Sequence, residues 1–166
     1  AGCRNLKSVI IPDNVRKVET GAFRDCSSLQ TVKLSNSLSV INANLFSGCR
    51  NLEGIAIPEG VTVIYDNAFW GCSGLSTVVF PKSLNMINKG AFANCTGLKK
   101  LPIIPQGVTE IADSLFKGCT GFTSIEIPKN IKKIGNYSFM DCSNVETVVL
   151  PDGIEAIGYN AFAHIP

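Results

Sequence analysis

Cysteine stands at positions 3, 26, 49, 72, 95, 119 and 142, so one interval of 23 residues recurs along the chain and lengthens to 24 only once. A pattern of apolar residues travels with it. Each unit reads Cys-x2-Leu-x2-Val-x-Ile-Pro-x2-Val-x2-Ile-x3-Ala-Phe-x2 before the next Cys. The third copy shows the anchors as Cys49, Leu52, Ile55, Ile57, Pro58, Val61, Ile64, Ala68 and Phe69. The phenylalanine column, Phe23, Phe46, Phe69, Phe92, Phe116, Phe139 and Phe162, is unbroken. A fixed period in the twenties marks stacked supersecondary units. One such unit buries too few side chains to offset the entropy of ordering it, so it must cover its neighbour and share backbone hydrogen bonds with it. The expectation is a single array over residues 1–166, of about seven repeats starting near 3, 26, 49, 72, 95, 119 and 142, around one long apolar column. The chain opens on Ala1-Gly2-Cys3, at the threshold of a unit, and reads as a fragment of a longer protein.

Within a unit, apolar residues such as Val9 and Ile11, Val78 and Phe80, or Val148 and Leu150 alternate with other types at period two, which predicts a short strand. Successive copies would pair these strands in a parallel sheet about 4.8 Å apart. The following proline, as in Ile57-Pro58-Glu59-Gly60, is expected to preset a turn, with Gly or Asn taking the awkward backbone angle after it. Val-x2-Ile reads as a second short strand or an extended run, and spacing favours neither decisively. From Ala-Phe to Cys, about one helical turn is expected: Gly21, Asn44, Asn67, Gly90, Ser114 and Asn160 suit an N-cap, with Tyr137 the exception. Asn5, Ser28, Asn51, Gly74, Gly97, Gly121 and Asn144, two residues past each Cys, suit a positive φ at a helix end.

Cys-x2-Leu-x2-Val-x-Ile-Pro followed by Ala-Phe-x2-Cys at 23 residues resembles the BspA-type leucine-rich repeat, over essentially the whole chain. The resemblance implies an α/β fold: a right-handed leucine-rich-repeat solenoid with a parallel concave β-sheet, short helical or 3-10 turns, and short second strands elsewhere. It also implies a cell-surface or secreted protein, because such arrays are typical of surface proteins of host-associated bacteria and parasitic protists. Several of these are adhesins for host extracellular-matrix proteins. An adhesin-like, non-catalytic protein-binding module is therefore the leading expectation. A structural spacer with no ligand on the repeats, or a carbohydrate-binding module using Trp70, are the alternatives.

The residues offer no foothold for catalysis or for a cofactor. His164 is the one histidine, and no Ser or Cys stands beside it in a nucleophile motif. Acidic residues recur in no column, and the glycines follow the repeat period instead of forming a phosphate loop. Single cysteines 23 residues apart lack the paired spacing of a zinc site. They read as small apolar core fillers, as Ile165 in the equivalent position of the last copy also indicates, and all seven are expected to be reduced. Net charge is only +2, so the lysines of copies five and six (Lys99, Lys100, Lys117, Lys129, Lys132 and Lys133) read as solvated surface instead of a nucleic-acid site. No apolar run approaches the roughly 20 residues of a membrane span.

A protein partner would meet the outward side of the concave strands. That strip comprises Ser8 and Ile10, Thr31 and Lys33, Gly54 and Ala56, Thr77 and Val79, Lys100 and Pro102, Ser124 and Glu126, and Thr147 and Val149. A weakly charged apolar strip often marks an interaction site, and Thr and Val equally suit any strand. Tyr65 and Trp70, both in the third copy, occupy columns otherwise small, polar or variable. They are aromatic binding candidates, with Trp70 expected on the convex or lateral side. The extra residue within Leu101-Pro102-Ile103-Ile104-Pro105 predicts a bulge, since Pro102 removes a ladder donor.

Overall fold

The computed structural model describes residues 1–166 as a stack of coils bearing two rows of short parallel strands. The first row comprises β1 (Ser8–Ile10), β2 (Thr31–Lys33), β4 (Gly54–Ala56), β6 (Thr77–Val79), β9 (Ser124–Glu126) and β11 (Thr147–Val149). The second comprises β3 (Val40–Ile41), β5 (Val63–Ile64), β7 (Met86–Ile87), β8 (Glu110–Ile111), β10 (Lys133–Ile134) and β12 (Ala156–Ile157), so Val-x2-Ile does make a strand. Register is in phase from coil to coil. Ser8 faces Thr31, Ile55 faces Val78, and Ile64 faces Ile87. Identical spacing in sequence becomes identical height in space, so each apolar column becomes an apolar ridge.

Every first-row strand except β2, which is followed by Leu34-Ser35, ends with one residue left before a proline. There the residue preceding it donates to the next coil (Ile57 N–H to Val79 carbonyl, 2.9 Å), and proline has no N–H with which to continue. The turn that follows differs from expectation. Pro58 opens it by accepting from the Val61 N–H at 3.2 Å, and of the Gly and Asn residues after the prolines only Gly60 adopts a positive φ, at 98°.

No helix forms, which corrects both the α/β assignment and the expected helical turns. The segment from Ala-Phe to Cys is a ribbon of linked turns. Two left-handed residues sit four apart in every coil, as in Asn44 and Gly48 (φ 54° and 76°) or Tyr137 and Asp141 (φ 56° and 64°). This geometry turns alternate amides in opposite senses. Asn67, Phe69 and Gly71 donate along the stack to the carbonyls of Lys89, Ala91 and Ala93, at 3.0, 2.8 and 2.8 Å. Ala68, Trp70 and Cys72 instead close turns within their own coil. A helix would direct every N–H along its own axis and leave none for the neighbouring coil. The Gly and Asn residues expected as N-caps are the first left-handed position. The second lies one residue before Cys; the residues two past Cys, expected to carry it, have negative φ.

Inside, 40 buried residues form one continuous cluster. The phenylalanine column is its spine: rings stack from Phe23 to Phe162 with centroids 5.1–5.9 Å apart and planes within 18° of parallel. That spacing lies in the favourable offset-stacked range. Phe46, Phe69, Phe92, Phe116 and Phe139 are fully buried, while Phe23 and Phe162 at the ends are half-buried.

The fifth coil departs furthest from the pattern. No strand forms over residues 101–105, where a bulge was expected, so the first row is interrupted between β6 and β9.

Candidate functional site

The first row presents two outward columns. Its middle residues (Val9, Val32, Ile55, Val78, Ile125 and Val148) point into the core, which turns the flanking residues to solvent. Ser8, Thr31, Thr77, Ser124 and Thr147 form an exposed hydroxylated column, with Gly54 half-buried among them. Ile10, Lys33, Ala56, Val79, Glu126 and Val149 form the second column, also exposed. Ile10 is 73% exposed and Val79 56%, high values for residues that nothing forces outward except strand alternation.

Lys100 is exposed, but it lies in a bend outside any strand, so it does not extend the strip in the way the spacing from Cys95 implies. Ile103 takes the place assigned to Pro102. Ile104 is buried like Ile57 and Ile127, so the residue before it continues the second column, and Ile103 is 91% exposed there. Counting back from Ile-Pro instead of forward from Cys identifies it. Counted this way, Ile103 takes the outward position after Ala56 and Val79, outside any strand and not paired with β6, and adds a third apolar side chain at the middle of the row.

The aromatic candidates lie elsewhere. Trp70, 46% exposed, sits on the turn ribbon, off the first row as expected. Tyr65 follows β5 and lines an open hollow of about 420 Å³ with Arg16, Lys17, Thr20, Ser39, Val40, Asn42 and Ala43, and Trp70 takes no part in it. The structure also pairs two tyrosines that the sequence reading did not single out. Tyr137 and Tyr159 meet edge to face at 5.5 Å on the surface of the last two coils. The lysines of coils five and six fall on different sides of the stack: Lys117 on the ribbon, Lys129 in the turn after β9, and Lys133 on the second row, paired with Glu110 at 2.9 Å. His164 lies beside Asp141 at 2.6 Å on an exposed part of the ribbon.

The cysteines are more than apolar filler. Cys49, Cys72, Cys95, Cys119 and Cys142 each aim Sγ at the phenylalanine carbonyl of the preceding coil, Phe23, Phe46, Phe69, Phe92 and Phe116, at 3.1–3.3 Å. That carbonyl also accepts the N–H of its own coil's cysteine, as Phe46 accepts Cys49 N–H at 3.0 Å. A thiol here is small enough for the core and supplies a weak donor to a second lone pair. All seven are free thiols, six buried and Cys3 exposed. Burial pushes Cys49 and Cys142 up to about 12, and raises Cys26, Cys72, Cys95 and Cys119 as well. The reactive thiolate is therefore suppressed along the ladder.

A family model describing the BspA type leucine rich repeat region matches in six copies, over residues 1–122 and 109–166. No curated protein matches the chain. Among solved structures, a leucine-rich repeat protein from Bacteroides ovatus is 31% identical with a TM-score of 0.86, over 95% of this chain and 40% of that one. The T. pallidum leucine rich repeat protein is 29% identical with a TM-score of 0.86, over 97% of this chain and 78% of that one. A leucine rich cell surface protein from Faecalibacterium prausnitzii, 24% identical with a TM-score of 0.59 over 99% of this chain and 64% of that one, shares the fold. The recurrent anchors, the two strand rows in register and these likenesses converge: the chain belongs to the BspA-type leucine-rich repeat family.

Proposed function

We propose that the array is a non-catalytic protein-binding module of a cell-surface or secreted protein, and that it holds its partner against the outward face of the first strand row. The observation that carries this reading is the run Ala56, Val79 and Ile103, with Ile10 and Val149 beyond it, flanked by a column of hydroxyls. Apolar side chains held outward in a line, rimmed by polar groups, match the make-up of an interaction patch. The low charge of the strip points to a partner recognised by shape and apolar contact. A host extracellular-matrix protein is the class we favour, and the likeness to a leucine rich cell surface protein supports the surface location.

The test is a binding screen of the unmodified array against matrix proteins and glycans, repeated with three variants. Thr31→Glu, Thr77→Glu and Val79→Glu together should abolish binding to a matrix protein, while Trp70→Ala should leave it intact. Retention by the triple variant overturns the reading. Loss only with Trp70→Ala or Tyr65→Ala, with a glycan as the ligand, would transfer the function to the aromatic residues. The Tyr65 hollow, with Arg16 and Lys17 at its rim, is the observation that favours that second reading. No binding by the unmodified array would leave a structural spacer.

A further inference from the structure

Backbone hydrogen bonding along the stack is uneven, and its weakest point is well defined. Between the third and fourth coils both strand rows pair, β4 with β6 and β5 with β7, and the ribbon donors Asn67, Phe69 and Gly71 reach across as well. The sixth and seventh coils are joined in the same manner through β9–β11, β10–β12 and the donors Tyr137, Phe139 and Asp141. Every other junction keeps at least one paired row. Between the fourth and fifth coils neither row pairs: β6 has no partner on that side, and the second row stops at β7 and resumes at β8. Backbone donors cross only on the ribbon, through Gly90 to Asp113, Phe92 to Leu115 and Asn94 to Lys117, at 3.0, 3.1 and 2.7 Å, and side chains add the Cys119 thiol on the Phe92 carbonyl, the Cys95 thiol on the Phe69 carbonyl and the Thr96 hydroxyl on the Ser73 carbonyl.

The cause is local. The extra residue displaces the backbone, and Pro102 cannot donate. The core also widens here. Phe92 and Phe116 are 5.9 Å apart, against 5.1–5.6 Å elsewhere in the column. The two phenylalanines outside the column flank the pair, Phe80 edge-on to Phe92 at 5.6 Å and Phe122 tilted against Phe116 at 5.8 Å.

We propose that the junction between coils four and five is a hinge that divides the array into two stiff blocks, residues 3–94 and 95–166. The turn ribbon is the pivot, and bending parts the two strand rows. The inference does not depend on what the first row binds. Its consequence for any partner is that the apolar stretch around Ile103 sits at the joint, so bending re-aims one half of the strip against the other.

Spin labels at Thr31→Cys and Glu126→Cys, in a Cys3→Ser background whose other thiols are buried, report the distance across the joint by electron–electron resonance. That distance should be broadly distributed. Deleting Pro102 restores a 23-residue unit reading Leu101-Ile103-Ile104-Pro105 with a full set of donors, and should narrow the distribution; equal widths in the two proteins overturn the hinge. Should the deletion fail to fold, denaturant unfolding of the unmodified chain decides. Trp70 fluorescence reports the first block, and hydrogen exchange of peptides from residues 119–166 reports the second. The shorter second block should lose structure at lower denaturant; superimposable transitions would refute the division.

Discussion

Replacing Phe69 with alanine removes the middle of the aromatic spine. Its ring is fully buried and lies 5.4 Å from Phe46 and 5.1 Å from Phe92, stacked on both faces. A buried phenylalanine withdraws on the order of 150–250 Å² from water, about 4–6 kcal/mol at 25 cal/mol per Å². Measured Phe→Ala losses in cores run about 3–5 kcal/mol. Neighbouring rings cannot collapse into the gap without abandoning their own stacks, so we expect about 4 kcal/mol. Phe162→Ala supplies the contrast: that ring is half-buried and stacks on Phe139 alone, at 5.5 Å, so about 1–2 kcal/mol is expected. Guanidinium denaturation followed by circular dichroism measures both, with the loss for Phe69→Ala falling on the transition of the first block. A cost below about 1 kcal/mol for Phe69→Ala, or equal costs for the two variants, would refute a stack whose stability comes from neighbour covering neighbour.

Ellman titration of the folded protein at neutral pH should register Cys3 alone, and all seven thiols after denaturation; rapid reaction of several thiols in the folded state would contradict the ladder. Because folded-state burial holds Cys49 and Cys142 up at about 12, above the ordinary thiol value of 9.0, the folded chain keeps protons that the unfolded chain releases. Stability is therefore full below pH 9 and falls above it, by up to about 1.4 kcal/mol per pH unit for each buried thiol, and a flat guanidinium midpoint between pH 8 and 10.5 would be evidence against it. Cys95→Ala should cost only about 1 kcal/mol, since the Phe69 carbonyl keeps its bond from Cys72 N–H at 3.1 Å; a loss above about 3 kcal/mol would mean the thiol does more than bond and fill. Tyr137→Asn should stabilise by up to about 1 kcal/mol, because a tyrosine is held at φ 56° where asparagine is at ease, and a lower melting temperature would show that the contact with Tyr159 outweighs the backbone strain.

The strand rows and the aromatic spine were legible because inward residues must be apolar, and a column such as Phe23 to Phe162 or the alternation of Val78 and Phe80 records that requirement directly. The ribbon was misread as a helical turn because Asn and Gly serve equally as N-caps and as left-handed residues. The discriminating cue lay four residues on: Asp25, Gly48, Gly71, Asn94, Gly118 and Asp141, all types at ease with positive φ, at the point where a helix would need an ordinary right-handed residue. Ile103 was missed because the inserted residue shifts any register counted from Cys95 by one place, and a shift of one exchanges inward and outward faces. The bond from Cys72 to the Phe46 carbonyl connects two coils through a backbone atom, and backbone atoms leave no mark in a residue pattern. The candidate strip was legible as alternation, but its apolar run emerged only once Ile103 was in place.

Amide hydrogen exchange tests the central claim, that each coil is locked to the next by donors directed along the stack. Phe46, Phe69, Phe116 and Phe139 give their N–H groups to the next coil's carbonyls at Ala68, Ala91, Ser138 and Ala161, each at 2.8 Å, whereas residues 99–101 have no backbone partner. The four phenylalanine amides should exchange orders of magnitude more slowly than those of Lys99, Lys100 and Leu101. Exchange of the phenylalanine amides at the rate of an unstructured peptide would show that the coils do not hold one another.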